Sequence, residues 1–109
     1  MIVADDTVSK ALAYLAEDPH PVALARKDLM DAENRSKVAF AEAMLSAEGP
    51  VDIRKATAEI DGLYRDAKAV EAAALGELER HRARVKAADM ICEIWRSEQA
   101  NVRAAERVR

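Results

Sequence analysis

The stretch "PVDIRKATAEIDGLYRDAKAVEAAALGELERHRARVKAADMICEIW", residues 50–95, decides the fold. Within it Ile53, Ala56, Ile60, Leu63, Ala67, Val70, Ala74, Leu78, His81, Val85, Ala88, Cys92 and Trp95 recur at steps of three and four. That is the period of one face of an α-helix, and no strand-like alternation competes with it. One interruption is legible, "IDG" at 60–62, where Asp61 could cap a fresh helix and leave 50–59 as a short separate one. The last helix would then run from about 62 to 103, roughly 60 Å at 1.5 Å per residue.

On the N-terminal side, "EGP" at 48–50 ends the preceding element, because glycine suits a left-handed cap and proline starts the next helix. That element spans about 21 to 47, with Val22, Ala25, Leu29, Ala32, Ser36, Ala39 and Ala43 on one line. Phe40, Met44 and Leu45 widen the line toward its end. Asp31–Arg35 and Glu33–Lys37 have the favoured acid-first spacing for helical ion pairs. Pro21 fits a first helical position, with His20 as its cap. Before it, "EDPHP" closes a short helix over 5–17, capped by Asp6 or Thr7 and striped by Val8, Ala11, Leu12 and Leu15. These patterns predict an all-α fold: an antiparallel helical hairpin with one or two short additional helices. The N-terminal helix is expected to lie across the hairpin, and the whole, 1–109, reads as a single helical domain.

Composition agrees. Charged residues make up 34% of the 109, aromatics only 4%, and there are three glycines and three prolines. Alanine supplies much of the hydrophobic half, so each helix contact buries little area and the core is thin. A long helix overhanging such a core predicts self-association. The net charge of −3 hides an asymmetry. Residues 1–79 hold 9 Lys/Arg against 16 Asp/Glu, a balance of −7, and residues 80–109 hold 8 against 4, a balance of +4. An acidic chain with one basic end suits an acidic protein face or a local nucleic-acid contact, not general coating of DNA.

Several activities lack their residues. The single cysteine, Cys92, cannot form an internal disulfide, and its place between Ile91 and Ile94 reads as a buried hydrophobe. No run approaches the roughly 18 apolar residues of a membrane span. The start, "MIVADDTVSK", has acids where a signal peptide carries lysine or arginine, so the cytosol is the expected compartment. Glu77 and His81 share a helix face, but His20 is remote in sequence and no further ligand follows, so no metal is expected. Gly49, Gly62 and Gly76 are scattered and form no phosphate loop, and no nucleophile stands beside a base. No cofactor and no enzymatic activity are expected.

The remaining chemistry is at the basic end. In "RHRARVK", 80–86, Arg80 and Arg84 share one face and Arg82 and Lys86 another, flanking His81 and Val85. Such a band can follow phosphates or balance the acids of the second helix. Trp95 continues the apolar line and is expected to close the core near the end of the second helix or the first helix. Arg96 points off that line, and Arg103, Arg107 and Arg109 follow where cations suit a helix C-terminus. Tryptophan and arginine are also enriched in binding hot spots. Arg80, Arg82, Arg84, Lys86, Arg96, Arg103 and Arg107 are therefore the candidate partner-binding residues.

Three stretches in this order, "KALAYLAED" at 10–18, "GPVDIRKATAEIDGLYRDA" at 49–67 and "RARVKAADMICEIWRSEQANVR" at 82–103, resemble small all-helical proteins encoded by early regions of bacterial phages and prophages. The most specific piece is "EIWRSEQANVR" at 93–103. The resemblance brings no catalytic motif. It implies a phage accessory protein in the host cytoplasm that binds a protein complex acting on nucleic acid, host defence or recombination machinery, and inhibits or redirects it. The alternative is a recombination or replication accessory that binds DNA directly through residues 80–109.

Overall fold

The computed structural model describes residues 2–108. Within them are four α-helices and no strand: α1 (Asp5–Leu15), α2 (Pro21–Ser46), α3 (Val51–Glu59) and α4 (Gly62–Val108). The fold is all-α. The 47-residue α4 contributes to two compact units. Its first part packs with α2 and α3 in the unit Val22–Glu79, and the rest packs with α1 in the unit formed by Met1–Pro21 and Arg80–Arg109.

In the α2–α3 unit, α2 and α4 form the expected antiparallel hairpin. Phe40 meets Tyr64 edge to face at 5.1 Å, and further along Leu29 and Leu75 line one groove, so the two helices run in opposite directions. Ala25, Ala32 and Ser36 are buried on α2, Ala58 on α3 and Leu78 on α4. The small side chains of Ala25, Ala32, Ser36 and Ala58 let the helix backbones approach closely. The buried Ser36 hydroxyl donates to the Ala32 carbonyl at 3.1 Å, which satisfies it inside the helix. Gly49 follows α2 with φ of +106°, a conformation that side-chain-bearing residues rarely adopt.

The break at "IDG" is real. The Asp61 carboxylate accepts from the Tyr64 amide at 3.1 Å, and the Asp61 carbonyl accepts from the Arg65 amide at 2.9 Å, a helix N-cap. On the preceding corner, the Arg54 guanidinium donates to the Met44 carbonyl at 3.1 Å and satisfies an acceptor in the last turn of α2.

That break corrects the expected apolar line. Ile53, Ile60 and Leu63 are 56%, 73% and 75% exposed, and Ala56 is exposed too. The nine-residue α3 turns at Asp61, so its line does not continue onto the buried face of α4. Ala58 is the α3 residue that packs, with no exposure at all. Within α4 the inward line runs through Tyr64, Ala67, Glu71, Ala74 and Leu78. Val70 faces out, and Glu71, partly covered, pairs with Lys68. On α2, Leu45 is exposed rather than part of the stripe. Asp31 bonds Lys27 at 2.8 Å instead of Arg35. The Lys27 ammonium, by hydrogen bond and charge, holds the Asp31 carboxyl below the usual carboxylate range. The same bond raises Lys27, and Glu71 raises Lys68. These pairs stand in solvent and contribute little to stability.

In the other unit, α1 runs antiparallel to the C-terminal part of α4. The Val3 amide donates to Glu98 Oε2 at 3.0 Å at one end, and Tyr14 meets His81 at the other. Ala11, Tyr14, Ala88 and Cys92 form the core, flanked by Leu15, Val85 and Ile91, and Val8 is also buried. Leu12, expected in the stripe, is exposed, and Tyr14 takes the inward place. The N-cap of α1 is Ala4, with no side-chain cap, and the expected caps fall elsewhere: Asp6 lies in the first turn beside Asp5. Acids there still suit the positive end of the helix. Trp95 is partly buried in this unit.

Candidate functional site

The seven candidate cations all lie on α4, in the unit it shares with α1. They divide into two groups. Arg84 reaches α1, and Arg80 meets its neighbour His81. The Arg84 guanidinium lies 4.0 Å from the centre of the Tyr14 ring, a cation–π contact. Arg80 Nη2 is 3.3 Å from His81 Nε2. The Tyr14 hydroxyl lies 3.1 Å from His81 Nδ1 and donates to the His81 carbonyl at 3.3 Å. One chain of hydrogen bonds thus satisfies the hydroxyl of the buried Tyr14. His20, remote in sequence, reaches the same ring edge-on at 5.0 Å. Both histidines therefore flank one tyrosine, an arrangement that no local pattern announces.

Arg82, Lys86, Arg96, Arg103 and Arg107 form the second group, and all are exposed. They belong to a longer line. Arg82, Lys86, Asp89, Glu93, Arg96, Ala100, Arg103 and Arg107 recur at strictly alternating steps of four and three, and every one is exposed. Residues so spaced share one face of a helix. The face reads basic, then acidic, then basic. Asp89 and Glu93 were not among the sequence candidates, although the same spacing rule, applied to charges instead of apolar residues, finds them. Residues 99–108 are exposed throughout, so the last basic block stands on helix that no described residue covers. Arg109 lies outside the described residues.

Where the covered part of α4 ends, Glu98 Oε2 takes the Val3 amide, while Glu98 Oε1 and Trp95 Nε1 are buried without hydrogen-bond partners. Cys92 is a buried free thiol in the core of this unit. Among the described residues, no three His, Cys, Asp or Glu side chains converge as metal ligands would, and no helix is long and apolar enough to cross a membrane.

No protein-family model matches the chain, and no match is found among curated proteins or solved structures.

Proposed function

We infer that this chain is a non-enzymatic accessory protein encoded by a bacterial phage. It binds a protein complex that acts on nucleic acid, host defence or recombination machinery, and inhibits or redirects it in the host cytoplasm. The phage origin rests on the resemblance of residues 10–18, 49–67 and 82–103. The binding role rests on the exposed charged line of α4.

The order of charges along that line favours a protein over DNA. A duplex presents negative charge at every phosphate, so a helix that tracks it gains from each cation and loses at each acid. Asp89 and Glu93 interrupt the basic face in its middle. A protein surface can match such a pattern with acids opposite Arg96, Arg103 and Arg107 and a cation opposite Asp89 and Glu93. Complementary charge of this kind sets register and excludes wrong partners more than it adds raw affinity.

A charge-reversal variant carrying Arg96→Glu, Arg103→Glu and Arg107→Glu tests the reading. Exposed single charges contribute within about 0.5 kcal/mol each, so the variant folds. On duplex DNA at about 0.15 M salt, neither wild type nor variant is retained. Retention of the wild type that falls with salt at a slope near −0.9 per phosphate contact, and is lost in the variant, would assign the face to DNA instead.

A further inference from the structure

Between Arg82 and Ile94, two neighbouring lines of side chains run along α4 with the same spacing. Arg82, Lys86, Asp89 and Glu93 step by four, three and four, and all are exposed. Each is followed at once by a member of an apolar line: Ala83, Ala87, Met90 and Ile94. Ala83 and Ala87 are exposed, Met90 is 61% exposed and Ile94 is partly covered. Each cation thus stands beside an alanine, and each acid beside a large apolar side chain. Of the other charges from 80 to 98, Arg80 meets His81, Arg84 lies over the Tyr14 ring and Glu98 takes the Val3 amide. Arg96 continues the charged line beyond the block.

Reversed end to end, the block is its own complement in charge and in size. Arg82 with Ala83 comes opposite Glu93 with Ile94, and Lys86 with Ala87 comes opposite Asp89 with Met90. We propose that this stretch of α4 pairs antiparallel with the same stretch of a second copy of this chain. Small side chains set against large ones fill the seam between the two helices. The cations of each copy meet the acids of the other, which fixes direction and register. A parallel pairing in register would bring Arg82 of the two copies together and stack Met90 on Met90, losing both matches. Each residue meets its counterpart reciprocally, so the contact is isologous and closes at two copies. One short helix pair is a small interface, so the dimer is weak and concentration-dependent. It uses none of Arg96, Arg103 and Arg107, and so stands or falls apart from the binding of other proteins.

Sedimentation equilibrium of the full chain from about ten to several hundred micromolar, a range suited to weak contacts, is the test. The average mass is expected to rise from the 12.0 kDa of one chain toward twice that value and no further. Lys86→Glu alone and Glu93→Lys alone should each hold the mass at one chain with unchanged helicity, because like charges then meet twice in every pair. Mixing these two variants sets Glu at 86 of one against Lys at 93 of the other, and Glu93 against Lys86, so the mass should rise again. The two changes combined in one chain should associate like wild type for the same reason. A wild type that stays at one chain throughout, or climbs past two, overturns the proposal. So does a Lys86→Glu variant that associates like wild type, or a mixture that stays at one chain.

Discussion

Tyr14 is the side chain on which the α1–α4 unit closes. It is 3% exposed, and its hydroxyl, its ring face and its ring edge each meet a partner: His81, Arg84 and His20. Tyr14→Phe removes the hydroxyl's contacts with His81 Nδ1 and with the His81 carbonyl, which keeps its bond within α4, so a cost of about 0.5–1.5 kcal/mol is expected. Tyr14→Ala would also empty the ring site, and about 3–5 kcal/mol is expected. Thermal melts of the two variants should show this order, with Trp95→Ala, whose ring is only partly covered, milder than Tyr14→Ala. Equal melting of Tyr14→Phe and wild type would mean that the hydroxyl contacts do not hold α1. Cys92 and Ala88 are legible as core from the sequence alone, because each sits on an unbroken helical line. Tyr14 is not, because a tyrosine takes a buried place only when something meets its polar tip, and that partner lies 67 residues away.

At the scale of elements, the helix boundaries are the most readable feature. Proline, glycine and aspartate act locally, so Pro21, Gly49 and Asp61 mark their ends without help from distant residues. The face each helix buries is a tertiary matter. The line through Ile53, Ala56 and Ile60 has regular helical spacing and still faces solvent, because Asp61 turns the chain before α4 begins. Asp61→Ala should cost about 0.5–2 kcal/mol, the usual worth of an N-cap, and an unchanged melt would show that the cap is idle. At its other end, α4 outruns α1. Once Val3 has met Glu98, nothing among the described residues covers 99–108. A helical segment of that length has little stability without packing. Its amides are therefore expected to exchange with solvent much faster than those of residues 85–95. Equal protection in the isolated chain would reveal a contact that covers the segment.

For the whole molecule, the useful observation is what the helices leave outside. The charged line of α4 puts Arg82 and Lys86, then Asp89 and Glu93, then Arg96, Arg103 and Arg107 on one exposed face. Summing charge over residues 80–109 finds the cations but not their interruption, which shows only when charge is followed along one helix face. Arg80 and Arg84 illustrate the same limit: they are basic in the sequence and partly structural in the fold. A face of this kind is proposed to grip a protein complex that handles nucleic acid. The decisive measurement is to express the tagged chain in a bacterial host, purify it after nuclease treatment, and identify what stays bound, beside the Arg96→Glu, Arg103→Glu, Arg107→Glu variant. The expected result is a defined nucleic-acid-processing complex with wild type, and at least about a tenfold loss with the variant, the effect of losing roughly 1.4 kcal/mol of binding. An identical set of proteins with both, or association that disappears with nuclease, would contradict it.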